Sequence, residues 1–337
     1  MNRPRVDVAY VGPLKRGAYV RSESPLEEVW NWIARFGISG WLQKNTSAAK
    51  PWKDWGPYCV VRVRQAVEFR AAACQGSILT RPLPLYYSLL NLLRGFFAMS
   101  EGAKPKKKHG LTSARENEAN IFQTGAKLTD GTFTDYLDAV KIPHQKGSVI
   151  TLGEALSRIV ETAADYVSAS IGQAEVFQVY VEAYQQSGKV RLHFYGTGQE
   201  DEFRNCWEEW FPKLRGLCSA ESTDRILIVD PTKVNTTTRE AIVDFCHKVL
   251  EVNLKSYEDP SWYAIRRSKP ELDLPRPAFY FIGVFILSSV VRYRPESLLT
   301  LSDPDSEDGW LIGRFLNAAE RYYPHLLLHW VSGEVYF

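Results

Sequence analysis

The stretch Thr80-Arg-Pro-Leu-Pro-Leu-Tyr-Tyr-Ser-Leu-Leu-Asn-Leu-Leu-Arg-Gly-Phe-Phe-Ala-Met-Ser-Glu101 predicts a helix at the centre of the fold. Pro82 and Pro84 suit the first turn of that helix, where a missing amide donor costs nothing, and Gly102 suits its end. Nearly every position in between is apolar, so we expect the helix to be buried on most sides. The other elements should pack around it.

The few small and polar residues of this helix fall on one stripe. They recur at a spacing of three to four residues and are Ser88, Asn91, Arg94 or Gly95, Ala98 and Glu101. A loop with four lysines and a histidine follows directly, and these residues are Lys104, Lys106, Lys107, Lys108 and His109. The sequence therefore predicts that a buried helix presents Arg94 beside a cationic loop, where an anion can bind.

A second interpretation of the same residues is a core helix followed by a solvated lysine loop. Glu116 and Glu118 are available to neutralise the nearby lysines, and a neutralised loop would be a plain scaffold. Both interpretations stay open from the sequence.

Composition limits the function classes. With 337 residues, 45% of them hydrophobic and 24% charged, the chain fits a soluble globular protein of two domains or one elaborated domain. The net charge is only +2, so any attraction for nucleic acid must be local rather than global. The lysine loop is the best local candidate.

The sequence predicts a cytoplasmic protein without a membrane span. Its five cysteines are odd in number and show no zinc-binding spacing, which is typical of reduced thiols. The N-terminal residues show no secretory signal. The longest charge-free run, 278–291, is shorter than the roughly 20 residues that cross a bilayer, so we expect a buried helix there.

Helical periodicity dominates the first half of the chain. The predicted helices cover 25–42, 61–75, 80–101, 111–126, 133–140 and 151–167. Gly37 and Gly40 should break the first of them, and the fourth is polar or irregular. Trp52 and Trp55 are expected in a loop, and Thr151 is expected to cap the last of these helices.

At Glu175 the period changes from helical to alternating. Val176–Tyr184 and Lys189–Tyr195 flank Ser187-Gly188 and predict a two-stranded hairpin. The elements expected after it are a helix over 200–214, a strand over 225–230, a helix over 237–252 that opens on the capping box Thr237 to Glu240, a buried helix over 278–294, a helix over 309–323 and a terminal hairpin over 326–337.

These elements predict an α+β fold that is mainly helical. We expect four regions, which are a leader over 1–24 with one short strand at 6–11, a helical domain over 25–171, an α/β middle region over 172–259, and a C-terminal helical segment over 260–337. The last segment should pack back on the helical domain.

Three motifs carry a resemblance to known proteins. Leu85-Tyr-Tyr-Ser-Leu-Leu-Asn-Leu-Leu-Arg94 and Lys108-His-Gly-Leu111 resemble the YaaC-like family of bacterial proteins and a divergent form of the HEPN helical domain. Ser288-Ser-Val-Val-Arg-Tyr-Arg-Pro295 is similar to a C-terminal signature of the YaaC-like group. The resemblance implies a HEPN-like bundle, self-association into a homo-oligomer, and a role with a protein partner in an antiviral or toxin–antitoxin system.

The HEPN resemblance also implies a metal-independent ribonuclease. In that chemistry an arginine holds the phosphate and a histidine moves a proton, so Arg94 and His109 would be the catalytic residues. Active members separate the two residues by four to six positions, whereas fourteen positions separate them here. This departure weighs against cleavage unless Arg94 and His109 meet in space.

Two functions without catalysis stay open as alternatives. A binder of RNA or another nucleic acid would use a phosphate-binding surface made by Lys104, Lys106, Lys107, Lys108, Arg292 and Arg294. An interaction subunit would use some of the ten tryptophans and seventeen tyrosines as anchors for oligomer contacts.

The motifs for cofactors and metals fail on inspection. Gly196-Thr-Gly198 lacks the third glycine of a dinucleotide-binding loop, because position 201 is Asp. The acidic run from Asp303 to Gly309 has its glycine one place late for a calcium loop, and Arg314 stands where that loop needs a glutamate. We therefore predict neither a cofactor nor a metal site.

Overall fold

The fold was analysed in a computed structural model. The residues that it describes are 5–7, 24–46, 50–114, 120–184, 189–196, 200–221, 225–252 and 262–332. They form a mixed, mainly helical fold with two β-sheets. The helices are α1 (Pro25–Phe36), α2 (Ser39–Asn45), α3 (Trp52–Cys74), α4 (Pro82–Glu101), α5 (Thr132–Ala139), α6 (Leu152–Leu156), α7 (Ala163–Ser168), α8 (Glu200–Trp210), α9 (Arg239–Val249), α10 (Arg276–Tyr293) and α11 (Glu307–Ser332).

The strands belong to a small sheet and a larger one. The small sheet has the order β2-β3-β4, and the larger one has the order β7-β8-β6-β5-β10-β9, with β1 paired to β5. The strands are β1 (Arg5–Asp7), β2 (His109–Ala114), β3 (Gly125–Gly131), β4 (Val149–Thr151), β5 (Val176–Tyr184), β6 (Lys189–Tyr195), β7 (Cys218–Ala220), β8 (Ile226–Val229), β9 (Glu251–Val252) and β10 (Trp262–Ile265). The rest of the strand predicted at 6–11 lies outside the described residues.

Helix α4 lies in the core, as its sequence predicts. It begins at Pro82, and Gly102 ends it in the left-handed conformation, with φ +59°. The small residues of its stripe face α3: the Ser88 hydroxyl donates to the Ala66 carbonyl at 2.7 Å, and a Cβ on Gly95 would lie 3.1 Å from Val63. The stripe therefore provides a close helix–helix contact.

Helix α3 begins nine residues before its predicted start at Val61, and the prediction of a loop at Trp52 and Trp55 is wrong. The two indoles pack edge to face with ring centroids 5.2 Å apart, and Trp55 is buried. Burial of these rings outweighs the amide that Pro57 removes from the helix. The longer helix brings Tyr58 and Arg62 onto one face.

The segment over 111–126 was predicted as a polar helix or an irregular segment, and the helix is wrong for 111–114 and 125–126, which belong to strands of the small sheet. The first two strands of this sheet meet at two glycines, because a Cβ on Gly131 would lie 2.2 Å from the Gly110 amide nitrogen. Gly110 itself has φ +91°. This close crossing holds His109 at the start of β2 against the N-terminus of α5. Glu116 and Glu118 lie outside the described residues.

The predicted hairpin forms the centre of the larger sheet. Strands β5 and β6 pair in register from Gln178 with Tyr195 to Tyr184 with Lys189, and their bounds match the prediction. The turn at Ser187-Gly188 lies outside the described residues. Helix α9 is capped by Thr238, whose hydroxyl accepts from the Ala241 amide at 3.2 Å, rather than by the predicted Thr237.

Buried apolar side chains gather in two clusters. The first cluster contains residues of the helices from α1 through α7, of the small sheet, and of α10 and α11. The second lies between the larger sheet and helices α8 and α9. Helix α10 crosses the first cluster, where its Phe281 stacks on Phe133 at 5.2 Å and contacts Tyr86 at 5.5 Å between ring centroids. The C-terminal end of α10 thus lies near the helix that carries Arg94.

Two helix predictions are corrected. The single helix expected over 151–167 is divided into α6 and α7 by a 3-10 turn at Val160–Thr162, although Thr151 caps α6 as expected. The predicted terminal hairpin is wrong for 326–332, because α11 continues through Pro324. That proline cannot bond to the Glu320 carbonyl, which instead accepts from the Trp30 indole nitrogen at 3.2 Å.

Candidate functional site

Arg94 holds the lysine loop against α5. Its Nε donates to the Thr132 hydroxyl at 3.0 Å, and its Nη2 donates to the Lys107 carbonyl at 2.5 Å. The residue is only 9% exposed, and burial is the largest effect that lowers the pKa of its guanidinium. Arg94 therefore has a structural role, and its Nη1 donates to no described residue.

His109 lies beside Arg94 despite their separation along the chain. Its Nδ1 lies 3.0 Å from the Tyr86 hydroxyl. Burial, followed by the charges of Arg94 and Arg292, lowers the pKa of the imidazole below its ordinary value. These guanidinium groups are close enough to act on one histidine, which is therefore neutral at pH 7.

The Tyr86 hydroxyl fixes the tautomer of His109. Burial raises the pKa of this hydroxyl, although Arg94 and Arg292 oppose the rise, so it keeps its proton. Tyr86 is fully buried and has no second hydrogen-bond partner in the described chain. Its O–H must therefore donate to Nδ1, because it would otherwise be unsatisfied. The second nitrogen of His109, Nε2, then carries the proton and can donate to a ligand.

Arg292 approaches from the last turn of α10. Its Nε donates to the Ser288 carbonyl at 3.1 Å, and its Nη2 lies 3.3 Å from the Ser289 hydroxyl. The guanidinium carbon lies 5.1 Å from the ring centroid of Tyr293, which is 67% exposed. An arginine and an exposed aromatic ring are thus presented together.

Sequence reasoning missed Arg62 and Tyr58. The guanidinium of Arg62 donates to the Asn91 side-chain oxygen at 2.9 Å and lies 4.9 Å from the ring centroid of Tyr58. Lys104 approaches the same ring, with its Nζ 5.9 Å from the centroid. The available signal was the spacing of Tyr58 and Arg62, which places them on one face only if α3 begins before Val61.

We call one group of these residues the cationic strip. Its members are Tyr58, Arg62, Arg94, Lys104, His109, Arg292 and Tyr293. The charge of Arg62 acts on the buried Arg94, and the charges of Arg94 and Arg292 act on His109. No described carboxylate forms an ion pair with any arginine or lysine of the strip.

The predicted lysines differ in their surroundings. Lys104, Lys106, Lys107 and Lys108 are all exposed. Lys106 forms an ion pair with Asp135 at 2.9 Å, and its amide donates to the same carboxylate at 2.6 Å. Lys107 and Lys108 form no ion pair with a described residue. Lys104, Lys107 and Lys108 are therefore better placed than Lys106 to bind an anionic ligand.

Arg294 lies apart from the cationic strip. Its side chain is 9% exposed and reaches Thr124, with Nη2 3.3 Å from the hydroxyl, at a cavity that no strip residue lines. Arg294 follows the last helical residue of α10, as Pro295 predicts. The side chains of Arg292 and Arg294 therefore contact different residues, Ser288 and Ser289 in one case and Thr124 in the other.

The described residues contain no group of three or more histidine, cysteine or acidic side chains that could hold a metal ion. Among them, no helix combines the length and hydrophobicity needed to cross a bilayer.

Comparison with known proteins gives one match. The family model described as YaaC-like Protein matches residues 40–331, which is most of the chain. No curated protein and no solved structure matches, so the likeness to HEPN domains finds no further support there. The matched span includes α4, the lysine loop and the end of α10, and the chain belongs to the YaaC-like family.

Proposed function

We propose that this protein binds single-stranded nucleic acid along the cationic strip. The observation that carries the proposal is a row of arginines and a lysine without carboxylate partners in the described chain, interleaved with tyrosines. Proteins that bind single strands combine these two features, since cations follow the phosphates and aromatic rings stack on the bases. The net charge of +2 makes such local concentration necessary.

The side chains that would bind the phosphates differ in how exposed they are to solvent. Lys104, Lys107 and Lys108 are exposed and can attract the backbone from solution. Arg62 and Arg292 are held by hydrogen bonds to Asn91 and to Ser288, so little side-chain freedom is lost on binding. An anion near His109 would also offset the repulsion between its neighbouring guanidinium groups.

Tyr293 is the proposed stacking platform for a base. It is 67% exposed, which is unusual for a large aromatic side chain, and Arg292 lies against its ring. Stacking of a base on a tyrosine contributes roughly 1–3 kcal/mol and tolerates any sequence. We therefore expect weak sequence preference and strong dependence on salt.

Metal-independent RNA cleavage is the second candidate, because the charge of Arg94 acts on His109. The hydrogen bond from Tyr86 disfavours it, since Nε2 of His109 then carries a proton and cannot accept one from a 2′-hydroxyl. Cleavage would need the Tyr86 hydroxyl to accept instead, which leaves its own proton unsatisfied. Binding without cleavage is thus the function that the geometry supports best.

Three further proposals depend on the family resemblance. These are the HEPN-like nature of the helical domain, a role with a protein partner in an antiviral or toxin–antitoxin system, and assembly into a homo-oligomer. The contacts of α3, α4 and α10 around the cationic strip are compatible with a HEPN-like bundle. Light scattering on the purified chain at several concentrations tests the oligomer directly.

Fluorescence anisotropy with a labelled single-stranded RNA tests the proposed function. The RNA should have about 12 nucleotides, a length within the usual site sizes of single-strand binding proteins. The variant Lys104→Gln/Lys107→Gln/Lys108→Gln removes three charges of the loop. Lys213→Gln/Lys233→Gln/Lys248→Gln is the control for net charge, because it removes three exposed lysines that lie outside the cationic strip. We expect the loop variant to lower the slope of log affinity against log salt by about 2, at about 0.7 per phosphate contact.

The control variant should retain the wild-type slope. Equal losses in both triple variants would mean that only net charge matters, and absence of salt-sensitive binding would reject the cationic strip as a nucleic-acid site. The same labelled RNA, incubated with chelator and run on a denaturing gel, decides between the two candidates. Cleavage that disappears in His109→Gln would favour the ribonuclease.

A further inference from the structure

A cavity of about 280 Å³ lies beside the C-terminal end of α10, away from the cationic strip. Seven of its twelve lining residues carry polar or charged side chains, which is a high share for a gap between helices. Asn120, Ser170 and Thr300 are exposed at its rim, so it opens to solvent. Thr124 and Arg294 are buried at its floor.

Arg294 brings an incompletely bonded cation to this floor. It is 9% exposed, and its Nη1 is buried without a hydrogen-bond partner among the described residues. Its Nη2 lies 3.3 Å from the Thr124 hydroxyl, which is a neutral partner at the long end of the range. No described carboxylate forms an ion pair with Arg294.

Such a group is costly to keep in a folded chain. A buried N–H without an acceptor loses its hydration and gains nothing in return, and a guanidinium carries its charge throughout the ordinary pH range. Buried arginines are ordinarily paired or bound to an anion. The cavity beside Arg294 has space for a ligand that would supply the missing acceptor.

We propose that this cavity binds a small metabolite through a phosphate or carboxylate group held by Arg294. A fork of guanidinium donors fits both groups, because each presents two oxygens side by side. The rim hydroxyls of Ser297 and Thr300 and the carboxylate of Asp308 face the same space and suit hydroxyl or amino groups of the ligand. Asp308 forms no ion pair with Arg294, so both stay available to one molecule.

Thermal unfolding of the full chain tests this site with inorganic phosphate and acetate as separate probes. Potassium chloride at equal ionic strength is the reference in each titration. We expect at least one oxyanion to raise Tm by about 2 °C or more once it saturates the site, because a ligand of the native state stabilises it. The probe that acts identifies the group as a phosphate or a carboxylate.

Arg294→Met should abolish the shift in Tm, and without ligand its Tm should equal or exceed that of the wild type. This second result separates a binding residue from a structural one, since a structural arginine would lower Tm when replaced. Ser297→Phe fills the cavity but keeps Arg294, and it should also abolish the shift. It covers the case in which Arg294→Met does not fold.

Arg321→Met is the matched control, because Arg321 is half-buried beside a tyrosine and lines neither site. It should keep the full shift in Tm. The proposal is overturned if neither anion raises Tm, or if the shift survives in both cavity variants. Loss of the shift in Arg292→Met, with retention in Arg294→Met, would place the anion on the cationic strip and equally reject the cavity.

Discussion

Helix α10 carries arginines at both ends, and the arginines at the two ends differ in whether a carboxylate neutralises them. At the N-terminal end, Arg276 is 2% exposed and forms an ion pair with Glu161, which is 1% exposed. The Arg276 Nη1 also donates to the Val252 carbonyl at 2.6 Å, and the Tyr280 hydroxyl donates to Glu161 at 2.6 Å. At the C-terminal end, no described carboxylate forms an ion pair with Arg292 or Arg294.

The helix dipole explains part of this difference. A cation is unfavourable at the positive N-terminal end of a helix, so Arg276 needs the charge of Glu161. A cation at the C-terminal end gains typically 0.3–1 kcal/mol from the dipole, which is enough to keep an exposed arginine there. It does not explain Arg294, which is buried and forms no ion pair with a described residue. A buried carboxylate thus neutralises the N-terminal end, whereas no described carboxylate neutralises the arginines of the C-terminal end.

The largest expected effect comes from breaking the ion pair between Arg276 and Glu161 at the N-terminal end of α10. Glu161→Gln should lower the free energy of unfolding by about 3–5 kcal/mol, because it leaves the buried charge of Arg276 without compensation. Urea denaturation at pH 7 measures the change. The double variant Glu161→Gln/Arg276→Met is the control and should recover much of the loss, since it removes the stranded charge together with its partner.

A loss in Glu161→Gln below about 1 kcal/mol, the range of an exposed pair, would contradict this contrast. The two ends of α10 would then have to be regarded as equivalent in energy. The unpaired arginines at the C-terminal end would lose their significance.

Acid should also act on the buried core more than on the cationic strip. Burial lowers the pKa of His325 to about 4, so the native state keeps this histidine neutral where the unfolded chain is protonated. Stability is therefore complete above pH 6.5 and falls as the pH drops toward 4, by about 3 kcal/mol in all. His325→Gln should reduce the slope between pH 6.5 and 5, where few carboxylates titrate, and the slope that remains should come from His109 and His247, whose pKa values are also lowered by burial. Urea denaturation at these pH values provides the measurement, and an unchanged slope would contradict the burial of a neutral His325.

The sequence predicted those elements whose signals are local. Pro82 and Gly102 mark the ends of α4 by backbone geometry alone, and the alternation of β5 and β6 gave both strands with their bounds. Sequence-based predictions were wrong where an element depends on contacts between residues that are distant along the chain. Helix α11 continues through Pro324 because Trp30 supplies a donor from the other end of the chain. The sequence around Pro324 contains no signal of such a distant partner.

The candidate site shows the same division. The composition of the lysine loop and the position of Arg94 in an apolar helix predicted an arginine beside a cationic loop with a histidine, and the HEPN resemblance implied a pair of Arg94 and His109. Their proximity depends on the glycine crossing of β2 and β3, which no local pattern shows. Arg62 was missed because a helix starting at Val61 leaves Tyr58 outside it, and the true start depends on burial of two tryptophans.

At the C-terminal end of α10, Arg292→Gln should affect binding rather than stability. We expect the free energy of unfolding to fall by no more than about 1 kcal/mol, because the side chain forms no ion pair in the described chain and loses only a favourable interaction with the helix dipole. Affinity for single-stranded RNA should fall about 5-fold, close to 1 kcal/mol, since a phosphate contact is lost. Arg321→Gln is the matched control, because its guanidinium lies 5.0 Å from the ring centroid of the following tyrosine, as that of Arg292 lies 5.1 Å. A loss of stability with unchanged affinity would make the two ends of α10 alike.

The smallest expected effect is electrostatic and concerns His109. The charge of Arg292 lowers the pKa of His109, so Arg292→Gln should raise that pKa. An NMR titration of the imidazole carbon-bound protons, assigned with His109→Gln, measures the change. Bound single-stranded RNA should raise the pKa in the wild type as well, because a phosphate near the imidazole favours its protonated form. Affinity for RNA should consequently increase as the pH falls toward the pKa of the bound state. A His109 pKa that responds to neither change would separate this residue from Arg292 and remove the histidine from the cationic strip.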